Sequence, residues 1–258
     1  MFDNLEINAI PDSVDNAIKN LTDEPTKTVA HTFSDIWYLV FGVISHTADK
    51  RRMRYAHDLD CLRHELTNKI NVIPADKQIE PNIQVTAQAL EDSKYCVESK
   101  QLRDMFSNLI ANSMNADYAK AAHPAYAGVI KQMSPTDARV LKAIPPKYLI
   151  PIVDYVIEDK RSGSTETQYS NIYIPVLPGL DIFKQAASIS SLSRLGILNI
   201  DAESKILDEN AYAPYEREPF FKEFSQKTYR YNPSKVAALR KYCGKLTPFG
   251  ENFVRVCL

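Results

Sequence analysis

Three potential metal ligands recur along one stretch of the sequence at helical spacing. His57, Cys61 and His64 lie at positions i, i+4 and i+7, so their side chains fall within about 60° of each other on a helix. Two imidazoles and a thiolate suit zinc. The trio lies opposite the apolar stripe of the same helix, and no second cluster of ligands accompanies it. We therefore predict neither a metal site nor a cofactor, and retain the trio as a weak candidate.

A basic and aromatic segment over residues 222–245 has the composition of a nucleic-acid-binding surface. It contains seven cations and a single acid, Glu223, with aromatic residues between them. Positive charge contacts phosphates, and aromatic rings stack on the bases of single strands. A protein contact or a purely structural role is the competing interpretation. The cations are Lys222, Lys227, Arg230, Lys235, Arg240, Lys241 and Lys245.

An apolar run over residues 36–44, followed by a basic cluster, suggests contact with a membrane surface. The run has nine residues, whereas a helix that spans a bilayer needs about 20. Aromatic and basic residues together are typical of helices that lie on anionic lipid. The alternative is a core helix that leads into a solvated basic turn. The residues that would make the contact are Trp37, Phe41, Ile44, Arg51, Arg52 and Arg54.

Composition argues against several classes of function. The sequence has 7 glycines in 258 residues and neither a GxGxxG nor a GxxxxGK[ST] pattern, so a phosphate-binding loop is not expected. A hydrophobic content of 45% with 24% charged residues is that of a globular protein. The four cysteines are scattered, without a CxxC pair or a nucleophile signature, and no secretory signal is recognisable. We expect a cytoplasmic protein with free thiols and no catalytic residues.

The first half of the chain is predicted to be helical. Residues 1–30 are polar and form a leader with at most one short helix. Residues 31–133 are predicted to form an all-helical domain whose first helix starts at Thr32 or Ser34, since either side chain can cap the amides that follow. A long amphipathic helix is expected over residues 50–71, with its apolar residues at steps of three and four. Further helices are predicted over 82–97, and from Ser99, Pro124 and Pro135.

The second half, residues 134–258, is predicted to be a winged-helix-like domain with a small β-sheet. The predicted elements are a strand over 150–157 that leads into a hairpin, a helix over 180–195, a strand over 197–200, an irregular aromatic stretch over 211–233, and a strand and closing helix that follow. The polar positions of the 180–195 helix are poor in the side chains with which winged helices read DNA bases. Those positions are Lys184, Gln185, Ser188, Ser191 and Arg194. The fold class is mainly α, within α+β.

Several short segments resemble one protein family. The segment QLRDMFSNL over 101–109 resembles the centre of the abortive infection alpha family. LSRLGI over 192–197 and LTPFGENF over 246–253 also resemble that family. The resemblance extends from about Phe33 to the C-terminus. The other matching segments are Ile73-Pro74, Glu80-Pro81, Ser113-Met114-Asn115 and His123-Pro124-Ala125-Tyr126.

The resemblance implies a process and assigns no catalytic residue. The family consists of bacterial proteins linked to phage defence and has no agreed active site. The leading hypothesis is therefore a non-enzymatic interaction protein whose two halves hold or sense a partner, most simply another protein. Nucleic-acid binding through residues 222–245 and peripheral action on a membrane surface are the two alternatives. The trigger, the target and the oligomeric state stay open.

Overall fold

The computed structural model describes residues 24–41, 50–174 and 180–258. The chain is mainly helical and contains one antiparallel four-stranded sheet, which confirms the predicted α+β class. The α-helices are α1 (Glu24–Phe41), α2 (Lys50–Asn71), α3 (Ile83–Ser93), α4 (Lys100–Ser113), α5 (Ala125–Gln132), α6 (Pro135–Ala143), α7 (Ile182–Arg194), α8 (Ala213–Arg217), α9 (Pro219–Tyr231) and α10 (Pro248–Cys257). The strands are β1 (Ile150–Asp159), β2 (Thr165–Ile172), β3 (Leu198–Asp201) and β4 (Lys235–Leu246).

The chain divides into two compact units. The helical unit comprises residues 1–131 with Cys257, and the sheet unit comprises residues 132–256 with Leu258. In the helical unit, α2 has the predicted bounds and packs on α4, and Leu62 and Leu66 of its apolar stripe are fully buried. Apolar residues at steps of three and four therefore predict both the helix and the face that it buries.

Two helices of the helical unit differ from their predicted bounds. Helix α1 begins at Glu24, not at Thr32 or Ser34. Pro25 lies in its first turn, where a proline without an amide hydrogen fits because that amide has no partner within the helix. Helix α3 ends at Ser93, four residues before its predicted end. The residues after it form a turn that leads to Ser99, whose side chain accepts the Leu102 N–H and caps α4 as predicted.

The sheet has the strand order β2-β1-β4-β3, with every neighbouring pair antiparallel. The predicted hairpin connects β1 and β2, and Gly163 in its turn has a φ of 71°. Strand β4 pairs with β1 over residues 235–244 and with β3 over its last four residues. The two central strands are thus β1 and β4, and β4 follows the long connection from β3.

The connection before β4 corrects the sequence-based prediction. Residues 211–233 were expected to be irregular, but they contain α8 and α9. Pro214 and Pro219 lie at the starts of these helices, and the Glu218 carboxylate accepts the Phe221 N–H. Both prolines occupy the first turn of a helix, where a missing amide hydrogen costs no hydrogen bond.

Helix α9 packs on the sheet through aromatic side chains. Phe220, Phe221 and Phe224 lie around the buried Tyr155 of β1, with ring-centroid distances of 6.3, 4.9 and 6.4 Å. Because such rings bury large apolar surfaces, they anchor the helix firmly. This cluster, together with Tyr212 and Tyr215, forms the core on one face of the sheet.

Candidate functional site

The candidate metal ligands form one close pair on the surface of α2. The Cys61 thiol lies 3.7 Å from His57 Nε2. His57 and His64 are exposed, and Cys61 is half-buried. Within residues 24–41, 50–174 and 180–258, no group of three or more His, Cys, Asp or Glu side chains is arranged to hold a metal ion.

The apolar residues proposed for membrane contact are partly buried within the helical unit. Helix α1 packs on α3, and Phe41 is only 6% exposed, with Lys94 Nζ 5.7 Å from its ring centroid. Trp37 is half-buried, and its ring centroid lies 4.5 Å from that of Phe41 with the two rings tilted by 39°. Arg54 is exposed. No helix in the described part of the chain has the length and apolar character needed to cross a membrane. Ile44 and the side chains of Arg51 and Arg52 lie outside the described residues.

The basic segment is divided between α9 and β4, and ion pairs neutralise part of its charge. Three of its seven cations bind carboxylates: Lys227 pairs with Glu223, Arg240 with Asp154 at 3.4 Å, and Lys241 with Glu209 at 2.7 Å. Successive side chains of a strand point to opposite faces, so Arg240 faces away from the other three cations of β4. The remaining four, which have no carboxylate within ion-pair distance in the described part of the chain, are Lys222, Arg230, Lys235 and Lys245.

Only two aromatic residues of the same segment are available for stacking. Tyr229 and Tyr231 are exposed. Phe224 belongs to the core, and Tyr242 is buried, with its hydroxyl bound to Asp154. Two of the four aromatic residues of the segment are therefore unavailable for stacking on bases.

Helix α7 likewise presents few of its predicted polar positions. Gln185 and Ser188 are buried, and the half-buried Ser191 donates a hydrogen bond to Asp137 of α6 at 3.1 Å. Lys184 and Arg194 are exposed. Two exposed cations on the helix offer little for reading a base sequence, which requires several donors and acceptors in register.

A buried polar network surrounds an irregularity in the hairpin. Asn171 has a φ of 59°, and its backbone N–H donates to Asp154 at 3.0 Å and contacts the Tyr242 hydroxyl at 3.1 Å. The Tyr242 hydroxyl donates to Asp154 at 2.7 Å, and the Asn171 side chain donates to Ser190 at 2.8 Å. Burial and the hydrogen bond to Asp154 both raise the pKa of Tyr242, so its proton is retained.

Three of the four thiols are unsuited to nucleophilic chemistry. Cys96, Cys243 and Cys257 are buried, and burial raises the pKa of each thiol above its ordinary value. Because the thiolate is the reactive form, these cysteines are held in their inert state.

The helical unit contains an open groove between α3 and α5 that the sequence did not predict. Its volume is about 240 Å³. One wall presents Gln84, Gln88 and Asp92 of α3, and the other consists of small residues at the start and middle of α5. The second wall is formed by Pro124, Ala125 and Gly128.

A buried carboxylate orders the polar wall of the groove. Asp92 is only 4% exposed, and it accepts hydrogen bonds from Lys131 Nζ at 2.7 Å and from Gln88 Nε2 at 2.8 Å. The hydrogen bond to Asp92 raises the pKa of Lys131. Lys131 also lies over the ring of Tyr95, 4.8 Å from its centroid. The charge of Asp92 is thus compensated, and the Gln88 carboxamide is held in place.

Comparison with known proteins identifies the family of the chain. The model of one family, abortive infection alpha, matches residues 54–257. The chain belongs to the abortive infection alpha family. Comparisons with curated proteins and with solved structures give no match.

The central segment of the abortive infection alpha resemblance, QLRDMFSNL, holds α4 against α2. Arg103 is buried, and it donates to Glu65 at 3.1 Å and to the carbonyl of Val97 at 2.7 Å. On the same interface, Lys69 pairs with Asp104 and donates to Ser107 at 2.7 Å. The polar residues of this segment therefore have structural partners within the helical unit.

The two C-terminal segments of the family resemblance contact each other in the sheet unit. Thr247 caps α10, and its hydroxyl donates to the carbonyl of Gly196 at 2.6 Å. Gly250 lies against the backbone of Ile197, so that a β-carbon at Gly250 would be 2.1 Å from the Ile197 carbonyl oxygen. LSRLGI and LTPFGENF thus form one junction, whose close approach requires a glycine.

Proposed function

We propose that this member of the abortive infection alpha family acts in phage defence as a non-enzymatic interaction protein. The helical unit would bind a macromolecular partner, and the sheet unit would serve as a winged-helix-like scaffold. The order of α7, Gly196, β3, β4 and α10 supports the second part of the proposal. We place this activity in the cytoplasm.

The observation that carries the proposal is the groove between α3 and α5. It is open to solvent, and Gln84 and Gln88 expose donors and acceptors along one wall. Its volume of about 240 Å³ lies below the ~300–1,000 Å³ that is typical of small-molecule sites. A groove of this size suits part of a larger partner better than a whole ligand.

The use of the acidic side chains supports binding over catalysis. Asp92, Asp137 and Asp154 are buried, and each accepts hydrogen bonds from the fold. Asp92 connects α3 to α5, Asp137 caps the start of α6, and Asp154 binds the backbone at the irregularity of β2. A general base needs a free lone pair directed at a substrate. Within the described residues, these carboxylates are directed at the fold itself.

A protein is the partner that these surfaces fit best. The ion pairs of Lys227, Arg240 and Lys241 lower the free positive charge of the C-terminal segment. Phosphate binding depends on such charge, so nucleic acid is the less favoured partner. The groove of the helical unit carries no uncompensated charge and suits a neutral polar surface.

The proposal is tested by infection of bacteria that express the tagged full-length chain. We expect fewer phage progeny per infected cell than in cells with the empty vector. We also expect a specific protein to co-purify with the chain after crosslinking. Nuclease treatment during purification separates a protein partner from one recovered through nucleic acid.

Two results would contradict the proposal. The first is normal phage yield at matched expression of the folded chain. The second is a measured turnover of a substrate by the purified chain, with no partner recovered in the crosslinked material.

A further inference from the structure

We propose that the connection between α2 and α3, together with the first residue of α3, binds a basic amphipathic segment of the protein partner. This region, residues 72–83, is called the 72–83 surface below. The inference rests on the proposed function and adds to it a contact surface and the chemistry of the partner segment. Three observations carry it: exposed aliphatic side chains, an ordered backbone that presents them, and carboxylates without ion-pair partners.

The 72–83 surface exposes three aliphatic side chains. Val72 is 79% exposed, Ile79 36% and Ile83 65%, whereas Ile73 is buried and belongs to the core. Single exposed aliphatic residues are common on protein surfaces and need no explanation. A group of them that is bordered by polar residues is instead typical of a contact with another protein.

The chain holds these side chains near one another. Gln78 Nε2 donates to the carbonyl of Ile73 at 3.0 Å, so the residues that precede Ile79 and follow Val72 are in direct contact. Ile83 comes four residues after Ile79, and their Cα atoms are therefore at most about 14 Å apart. One partner segment can cover all three aliphatic side chains.

Backbone hydrogen bonds order the 72–83 surface before any partner binds. The Ile79 N–H donates to the carbonyl of Met114 at 3.0 Å, and the Ala116 N–H donates to the carbonyl of Lys77 at 2.9 Å. The connection is thus fixed to the residues that follow α4. Because little further ordering is needed on binding, the entropic cost to the partner complex is low.

The charges next to the aliphatic side chains favour a cationic partner. Asp76 and Glu80 are exposed, and in the described part of the chain neither has a Lys or Arg side chain within ion-pair distance. Lys77 lies between them in the sequence, but its ammonium group pairs with Asp117. The 72–83 surface therefore carries negative charge that the fold does not compensate.

This combination of charge and apolar surface selects one class of partner. Carboxylates attract Lys and Arg side chains and repel phosphates, so nucleic acid and anionic lipid fit the 72–83 surface poorly. Aliphatic anchors supply affinity at the centre of a protein contact, while charges at its rim fix orientation and speed association. A polypeptide segment with aliphatic side chains and flanking Lys or Arg meets both requirements.

Selection of peptides tests the inference directly. The probe is a display library of random twelve-residue peptides, selected on the full-length chain at low salt. The selected peptides are then measured on two double variants. Ile79→Ser with Ile83→Ser removes aliphatic surface, and Asp76→Lys with Glu80→Lys reverses the charge. Thermal unfolding verifies that both variants are folded.

We expect the selected peptides to combine aliphatic residues with Lys or Arg and to lose at least tenfold in affinity on each double variant. The loss caused by charge reversal should shrink at about 0.5 M salt, because salt screens exposed charges. The loss caused by the serine substitutions should persist, since it does not depend on charge.

Leu207→Ser and Glu203→Lys are the matched controls in the sheet unit. Leu207 is 92% exposed, and Glu203 is also exposed. Neither control should change the affinity of the selected peptides.

The inference is overturned if the selected peptides bind both double variants as tightly as the parent, or if they lack basic residues. It is also overturned if light scattering shows a dimer of the parent that Ile79→Ser with Ile83→Ser abolishes, because a second copy would then cover the 72–83 surface. Single-stranded DNA and anionic vesicles are measured in parallel. Binding of either that the same double variant abolishes would assign the surface to that ligand instead.

Failure of the inference differs from failure of the proposed function. A partner that crosslinks equally, in infected cells, to the parent and to Ile79→Ser with Ile83→Ser would leave the proposed function standing and remove the 72–83 surface. Peptides that depend on the 72–83 surface, without any cellular partner, would do the reverse.

Discussion

The backbone N–H of Asn171 donates to the buried carboxylate of Asp154 at 3.0 Å while Asn171 holds a left-handed φ of 59°. The pairing of β1 with β2 shifts register at this point, because Val153 faces Ile172 whereas Tyr155 faces Tyr169. One extra residue of β2 is thus accommodated as a bulge, and Asp154 satisfies the amide that leaves the ladder. The bulge is the one place in the described chain where a residue other than glycine has a positive φ.

Replacement of Asn171 separates backbone strain from side-chain contacts. Asn171→Gly and Asn171→Ala both remove the side-chain hydrogen bonds, but only alanine suffers the steric cost of a left-handed conformation. We expect Asn171→Ala to unfold with a free energy about 1 kcal/mol lower than that of Asn171→Gly. Urea unfolding of the two variants measures this difference. Equal stabilities would show that the conformation at position 171 is not strained.

Gly250 and Gly128 should respond in opposite directions to substitution by alanine. A β-carbon at Gly250 would lie 2.1 Å from the Ile197 carbonyl oxygen, so α10 or the turn after α7 must move. We expect Gly250→Ala to lower the free energy of unfolding by about 3 kcal/mol or more. Gly128→Ala should raise it by up to about 1 kcal/mol, since alanine is the better helix former. Thermal unfolding of the two variants provides the comparison, and similar shifts would contradict it.

Local signals predicted those elements whose cause is local. Ser134 and Asp137 form the reciprocal capping box that begins α6, and Gly196 takes the left-handed φ of 74° that ends α7. The stripe of α2 also identified its buried face. In each case the residues that determine the structure lie within a few positions of each other, so the local sequence is sufficient to predict the cap, the helix end or the buried face.

The elements that the sequence missed depend on distant contacts. Helix α9 is held by the packing of Phe221 and Phe224 on Tyr155, more than 60 positions earlier in the chain. The groove depends on Gly128, which lies opposite Gln88 although they are far apart in the sequence. The spacing of Gln84, Gln88 and Asp92 places them on one face of α3 and could have indicated a polar wall. A polar stripe alone, however, is more often a solvated helix face.

The contact of Arg103 with Glu65 should behave as a coupled pair. Arg103→Leu leaves the carboxylates of Glu65 and Asp58 largely buried near an apolar side chain. We expect a loss of about 3 kcal/mol in the free energy of unfolding. The double variant Arg103→Leu with Glu65→Leu should lose less than the sum of the two single variants. A double-mutant cycle by urea unfolding measures the coupling.

The matched control for this cycle is Lys77 with Asp117, an ion pair that is exposed on both sides. Leucine substitutions there should show little or no coupling, because water screens exposed charges. If the two cycles gave the same coupling, burial would not be the cause of the effect at Arg103.

Alkaline pH should lower the stability of the sheet unit through the buried Tyr173. Burial raises the pKa of Tyr173 to about 12, from an ordinary value of about 10. Between these values the unfolded chain has released a proton that the folded chain retains, so the free energy of unfolding falls as pH rises. At pH ~11.5 the loss from this residue alone is about 2 kcal/mol relative to neutral pH.

Urea unfolding of the parent and of Tyr173→Phe at the two pH values measures this contribution. The variant should lose about 2 kcal/mol less than the parent on alkalinisation. Tyr231→Phe is the control, because Tyr231 is 91% exposed, and its response should equal that of the parent. Parallel behaviour of Tyr173→Phe and the parent would show that Tyr173 ionises normally in the folded chain.

The thiols should differ in their reactivity towards a disulfide reagent such as 5,5′-dithiobis-(2-nitrobenzoate). Cys61 is half-buried on α2, whereas the other three cysteines are buried and burial raises the pKa of their thiols. Because the reagent must both reach the sulfur and find it as thiolate, we expect one thiol per chain to react quickly at pH ~8 and all four to react in denaturant. Cys61→Ser should abolish the fast phase, and Cys96→Ser should leave it unchanged. Fast modification of two or more thiols in the folded chain would contradict the burial of Cys96, Cys243 and Cys257. Retention of the fast phase in Cys61→Ser would assign that phase to another cysteine.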